Sequence, residues 1–228
     1  MLNFLHYLEE KFRFTLKYHS KLNPKLWSHD QLKVGIGENL LSLAYEFAEF
    51  SGVDKSRIKD IIVTGGNVNF NYTKYSDIDV HLMCTLTGLD DDLIYNKKVA
   101  WSGSRTETIA GYPLEFYIAD EGESPPKGQG FYSILNDRWI VMPKHLGHIE
   151  ALEDPFVVDK IQDAIKYIKF LIKSGTHEQI SAYKLKMHNM RQSGLQLDGE
   201  FSIENIMYKE LRNRGWIEKL NTRYHTLD

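Results

Sequence analysis

The stretch TGGNVNFNYTKYSDIDVHLM, residues 64–83, decides the fold: a glycine pair, Gly65-Gly66, closes one apolar run, and Asp77 and Asp79 open the next. The run Asp60-Ile61-Ile62-Val63-Thr64 reads as a buried strand, being short, β-branched and stopped by glycine. Residues 77–83 read as a second strand. In an extended chain alternate side chains share a face, so Asp77 and Asp79 stand side by side about 7 Å apart along the backbone, and His81 joins them by parity. Paired carboxylates at that spacing suit a divalent cation. Backbone N–H groups at Gly65-Gly66 can approach a phosphate without interference from a Cβ. Phosphate and metal would then meet at one place.

Around this stretch the chain has ordinary globular chemistry. Its 228 residues, 42% hydrophobic and 26% charged with 13 Tyr and 11 Phe, can bury a sizeable core, which argues against disorder. Glu9, Glu10, Lys11 and Arg13 interrupt the apolar residues near the start, so that segment reads as neither a signal peptide nor a membrane span, and no apolar run of spanning length follows. Cys84 is the only cysteine, so no internal disulfide can form. A cytoplasmic protein without a membrane partner is expected. Net charge is −3 overall but uneven: +2 over residues 1–76, −9 over 77–159 and +4 over 160–228. The acidic middle holds the aspartate pair. The mildly basic end fits either solvated helix faces or contact with an anionic substrate.

Three regions follow from the periodicity. Residues 1–59 form an N-terminal helical segment packed on the core, with helices expected over 2–17 and 37–50; Leu40, Leu43, Ala44, Phe47 and Phe50 mark one face of the latter. Between them, residues 19–27 are irregular and broken by Pro24, a loop anchored by Trp27. Residues 60–150 are the core, with strands expected at 60–64, 77–83, 105–110, 113–119, 131–135 and 138–142. Hairpin turns are expected at Gly111-Tyr112 and Asn136-Asp137, and a flexible loop over 120–130. Residues 151–228 are helical: Val158, Ile161, Ile165, Ile168 and Ile172 line one helix from Pro155, and Thr176 with Gln179 forms a capping box for a second. Ile180, Tyr183, Met187 and Met190 give that helix its stripe, Gly194 is expected to end it, and Ser202 caps a last helix to about Arg212.

Two carboxylates leave a two-metal site short of charge, and Glu115 in Tyr112-Pro113-Leu114-Glu115-Phe116-Tyr117-Ile118 is a candidate third ligand. An acid between apolar residues on a half-buried strand either faces solvent or points into a site. Together these residues resemble the DNA polymerase β-type nucleotidyltransferase superfamily, whose pattern is an apolar run ending in Gly-Gly or Gly-Ser, a spacer of about ten residues, Asp-x-Asp, and a later acid between apolar residues. The pattern stands here as Gly65-Gly66, Asp77-Ile78-Asp79 and Leu114-Glu115-Phe116, and its three parts agree in order and spacing. The chain also resembles a group of bacteriophage-encoded predicted nucleotidyltransferases with Leu-Asn-Pro-x-Leu-Trp near the start and Gly-Glu-Phe-Ser-x-Glu-Asn near the end. The counterparts are Leu22-Asn23-Pro24-Lys25-Leu26-Trp27 and Gly199-Glu200-Phe201-Ser202-Ile203-Glu204-Asn205.

The resemblance implies an α+β fold: a small mixed β-sheet nucleotidyltransferase core flanked by N-terminal helices and a C-terminal helical region. It implies transfer of a nucleoside monophosphate from a nucleoside triphosphate such as ATP to an acceptor hydroxyl, with pyrophosphate leaving. Asp77, Asp79 and Glu115 would hold Mg²⁺ or Mn²⁺, which oxygen-rich ligation favours over zinc. Gly65, Gly66 and Asn67, opening a short helix, would face the phosphates, with Ser76 as a hydrogen-bond donor and Lys74 as a weaker candidate. The acceptor, a protein hydroxyl, an RNA end, a small hydroxylated molecule or a second nucleotide, is left open, and a phage-encoded chain would act in a host cytoplasm.

Other residues carry blander readings. His81 packs beneath the site or reaches into it; His145 and His148 lack the companions of a zinc site; Cys84 reads as a small buried side chain. Lys184, Lys186 and Arg191 line either a solvated face or a contact to triphosphate or nucleic acid. Two rival functions remain at this stage: a catalytically inactive binding or assembly protein on the same fold, and a sugar-nucleotide glycosyltransferase, which the early glycine pair and Glu115 fit poorly.

Overall fold

The computed structural model describes residues 12–105, 107–145 and 149–227, which divide into two compact units. The first, within 18–145, opens with a two-stranded ribbon, β1 (Trp27–Ser28) and β2 (Gln31–Leu32), then helix α1 (Val34–Ser51). Gly52 ends α1 at φ 75, its N–H capping the carbonyls of Ala48 and Glu49. Next come β3 (Ile58–Thr64), β4 (Ile78–Cys84), α2 (Asp91–Ser104), β5 (Thr108–Ile109), β6 (Tyr112–Asp120), β7 (Phe131–Ser133) and β8 (Arg138–Val141). Six strands make one mixed sheet in the order β5-β6-β4-β3-β7-β8. Only β4 and β6 run parallel, joined by the crossover through α2. The α+β reading holds.

Alternation along the central strands decides what the site can use. Ile61 and Val63 of β3, Ile78, Val80 and Leu82 of β4, and Phe116 of β6 join the core with Leu40, Ala44 and Phe47 of α1. Trp101 of α2 meets Phe47 and Phe116 on that side, ring to ring. Burying this face turns Asp79, His81, Glu115 and Tyr117 to the other one.

The second unit comprises residues 12–17 and 149–227 of those described, with helices α3 (Pro155–Ser174), α4 (His177–Leu197), α5 (Ile203–Asn213) and α6 (Trp216–His225). Asp154 caps α3 ahead of Pro155, and Thr176 with Gln179 closes the expected capping box on α4. Val157, Ile161, Ala164, Ile168 and Leu171 form the buried stripe of α3, sharing Ile161 and Ile168 with the expected one; Ile180 and Met187 carry that of α4. Glu200 and Lys209 form a buried ion pair, and Asn205 donates to the Glu200 carbonyl at 2.7 Å.

Several expectations are corrected. Of the helix expected over 2–17, residues 2–11 lie outside the described residues, and 12–17 are not helical: Thr15 donates its N–H (2.7 Å) and hydroxyl (2.9 Å) to the buried Glu210 carboxylate. The N-terminal helix that is described, α1, starts earlier than expected, at Val34. The hairpin between β5 and β6 turns at Ala110-Gly111, not Gly111-Tyr112, and both residues have the positive φ that a tight two-residue hairpin requires. The strand expected over 105–110 shrinks to Thr108–Ile109. Gly194 does not end α4: it lies inside the helix, where a Cβ would stand 2.7 Å from Ser202 Oγ, so glycine there permits close packing. Two helices, α2 and α6, had no counterpart in the expected elements. The acidic first turn of α2, Asp91 and Asp92 after the N-cap Asp90, was its available signal.

Candidate functional site

The glycine turn is set by its neighbours. β3 stops at Thr64, whose hydroxyl donates to the Gly130 carbonyl at 2.9 Å. Gly65 then takes φ 84 and ψ −168, a region closed to residues with a Cβ, and Gly66–Val68 makes a single 3-10 turn. A Cβ on Gly65 would lie 2.0 Å from Asp79 Oδ2, and one on Gly66 would lie 2.9 Å from Ser76 Oγ. The turn is therefore glycine because the Asp79 carboxylate and the Ser76 hydroxyl lie against its backbone.

Asparagines hold the connection from Gly65 to Asp77. Asn67, fully buried, donates to the Asp77 carbonyl (2.9 Å) and accepts from Asn23 Nδ2 (2.8 Å), while its own carbonyl accepts from Trp27 Nε1 (2.9 Å). Asn69 donates to the Gly65 carbonyl (3.2 Å) and accepts from Gly130 N–H (3.0 Å). Trp27 in turn stacks on Trp139 with centroids 4.9 Å apart. Thus the Leu22–Trp27 segment braces the glycine turn. Alternating buried asparagines at 67, 69 and 71 were its trace in the sequence.

The acids converge through sheet register. Asp79 pairs with Thr64 across the antiparallel β3 and with Glu115 across the parallel β6, so two carboxylates from distant segments stand on neighbouring strands of one face. Asp77 lies one residue before β4, tied by its carbonyl to Asn67. Tyr117, two residues beyond Glu115, donates its hydroxyl to Glu115 Oε2. Burial foremost, then the charge of Asp79, the bond to Glu115 and the charges of Glu115 and Asp77 hold the Tyr117 hydroxyl protonated far above its ordinary range. All three carboxylates thus act on one phenol.

A cation enters this arrangement that sequence reasoning missed. Lys98 of α2, partly buried, places Nζ 3.4 Å from the centre of the Tyr117 ring. β5 pairs with β6 only through Pro113 and Tyr112, so from Leu114 onward β6 is the sheet edge, and Lys98 reaches past it from the α1 side. Burial lowers its pKa, and the charges of Glu115 and Asp79 offset this in part.

The remaining candidates have other partners. Ser76 is buried, its Oγ accepting from Thr73 N–H at 3.0 Å. Lys74 is exposed, its Nζ 4.8 Å from the Tyr75 ring. Asn67 has its side chain in the scaffold, and the short helix it was expected to open is one 3-10 turn starting at Gly66. His81 packs on Tyr117 (4.8 Å) and Phe131 (6.3 Å), with Nδ1 3.5 Å from Glu123. In the helical unit Lys184 covers the Tyr224 ring and Arg191 donates to Asn205, so these two have structural partners.

Asp77, Asp79 and Glu115 offer only carboxylate oxygens, the donor chemistry of Mg²⁺ or Mn²⁺ rather than zinc. As the side chains stand, no three His, Cys, Asp or Glu among the described residues are grouped tightly enough to hold a metal ion. Fit to a hard cation therefore rests on donor type and register. No helix among the described residues is long and apolar enough to cross a membrane.

No family model and no curated protein matches the chain. Among solved structures, the chain is similar to a STING-associated CdnE c-di-GMP synthase from Capnocytophaga granulosa, at 10% identity over 86% of this chain and 83% of that one, with a TM-score of 0.21. A likeness at that level says nothing of the function of this chain.

Proposed function

We propose that the chain is a metal-dependent nucleotidyltransferase that moves a nucleoside monophosphate from a nucleoside triphosphate to an acceptor hydroxyl and releases pyrophosphate. One observation carries the reading: the register that sets Asp79 beside Glu115 on parallel neighbours, at the sheet end where Gly65 lies against the Asp79 carboxylate. On this reading the backbone N–H groups of Gly65 and Gly66, which carry no side chain of their own, receive the β and γ phosphates. Ser76, against Gly66, orients that turn. Asp77 and Asp79 would hold the metal ion that neutralises the triphosphate end. Glu115 accepts the acceptor's proton at Oε1, while Tyr117 holds Oε2 and so fixes the direction of the carboxylate. When bound by these three acids, Mg²⁺ or Mn²⁺ supplies charge neutralisation for the attacking and leaving oxygens of an in-line transfer. Lys74, exposed and beside Tyr75, has at most a peripheral part.

The test incubates the full chain with each α-labelled nucleoside triphosphate, Mg²⁺ or Mn²⁺, and cell lysate, following pyrophosphate release and label on protein, RNA or small molecules. The expected result is metal-dependent transfer that Asp79→Asn and Glu115→Gln each reduce by about 100-fold or more. Transfer that survives Asp79→Asn overturns the assignment. Absence of transfer and pyrophosphate release in protein that binds Mn²⁺ at Asp79 favours a nucleotide-binding or assembly role on the same fold.

A further inference from the structure

Among the described residues, Lys98 is a cation that the fold delivers to the acid face without a sequence motif announcing it. Its helix packs on the opposite side of the sheet through Trp101, against Phe47 and Phe116, so the lysine stem has to bend past the β6 edge to reach Tyr117. Lys97, its chain neighbour, instead lies over Phe50, with Nζ 5.0 Å from that ring. Arg105, at the end of the same helix, pairs with Glu46 and Glu107. Of these three, Lys98 alone reaches the Tyr117 ring, where the charges of Glu115 and Asp79 act on it. Its ammonium caps the ring of the phenol that holds Glu115, and Glu115 is the strand partner of Asp79.

Acids crowded on one face repel one another unless a positive charge stands among them, and a fixed ammonium supplies it at lower charge than a divalent ion. Building on the nucleotidyltransferase reading, we infer that Lys98 is the resident counter-ion of the acid face, neutralising Glu115 and Asp79 until a divalent cation displaces it. Lys98 therefore competes with the metal for the same carboxylates, and removing its charge tightens metal binding. Two effects share that sign: the cation no longer has to expel an ammonium, and it no longer meets one positive charge at close range. The Lys98–Tyr117 contact also ties metal entry to α2. Release of the lysine frees that face of the Tyr117 ring.

The experiment measures Mn²⁺ binding alone, by electron paramagnetic resonance of unbound Mn²⁺, to the metal-stripped full chain without nucleotide. Lys98→Met and Lys98→Gln are compared with Lys98→Arg, Lys97→Met and Asp79→Asn, each checked for an unchanged thermal transition. The expected result is about tenfold tighter Mn²⁺ binding for Lys98→Met and Lys98→Gln. Lys98→Arg and Lys97→Met should stay within about twofold of the natural protein, since the first keeps the charge and the second removes one that faces Phe50. Unchanged or weaker binding in both neutral variants, with Asp79→Asn abolishing it, overturns the counter-ion inference alone. Mn²⁺ binding that ignores Asp79→Asn in every background overturns the metal assignment and the inference with it.

Discussion

Replacing Gly65 with alanine tests the glycine turn through two separable costs. The first is backbone: φ 84 with ψ −168 belongs to glycine, and an L side chain held there costs about 1–3 kcal/mol. The second is collision, because the new Cβ would stand 2.0 Å from Asp79 Oδ2 and 3.0 Å from its carboxyl carbon, so the carboxylate has to swing off the turn. Together they predict a loss of about 2–4 kcal/mol, a fall in Tm of roughly 5–15 °C for a chain of this size. Thermal unfolding followed by circular dichroism reads the total, and a double-mutant cycle separates the parts. In an Asp79→Ala background the collision has no partner, so Gly65→Ala should cost at least ~1 kcal/mol less there than in the natural protein. Transfer activity should fall about 100-fold or more in the single variant, since the displaced carboxylate is one of the proposed catalytic acids. The reasoning is refuted if Gly65→Ala leaves Tm within about 2 °C of the natural protein, or if its cost is the same in both backgrounds.

Two further outcomes rest on the buried Asn67 and Cys84. Asn67→Ala strands the Asn23 amide inside the protein and cuts the link to the Asp77 carbonyl, so urea unfolding should show a loss of about 2–4 kcal/mol; a loss below ~0.5 kcal/mol would contradict the bracing role. Cys84 is fully buried, and burial pushes its thiol up to about 11, so in the folded protein it should react with a disulfide reagent at pH 8 at least about 100-fold more slowly than in the unfolded chain. Because its folded pKa is raised, the stability Cys84 contributes is fully present below the unfolded thiol's pKa and is lost as pH climbs toward about 11, a decline that Cys84→Ala should remove.

Legibility in the sequence followed range along the chain. β3, β4, β6, α1 and the three helices from Pro155 to Asn213 were readable because each carries its own period and its own cap, such as the Thr176–Gln179 box or Ser202 before α5. Turns were less readable: the hairpin at Ala110-Gly111 slipped by one because alanine hides a positive φ, and the two-residue turn expected at Asn136-Asp137 is a four-residue loop, 134–137, between Ser133 and Arg138. α2 was missed because Leu93, Tyr95 and Val99 are exposed, which leaves no clear apolar stripe to count. Losing α2 meant losing Lys98.

By itself the sequence determined that β3, β4 and β6 extend and that α1, α3, α4 and α5 coil, and the order Gly65-Gly66, Asp77, Asp79, Glu115, since these depend on periods of two and 3.6 and on residues adjacent in the chain. It also marked Gly65 and Gly66 as unusual, without saying what lies against them. Only the tertiary structure decided that β6 runs parallel beside β4 with Glu115 opposite Asp79, that Asn23 and Trp27 brace the turn, and that Lys98 bends round the sheet edge to Tyr117. Those are pairings between segments far apart in the chain. Burial of the Phe47–Trp101–Phe116 face selects among their many alternatives, and no local period encodes that choice.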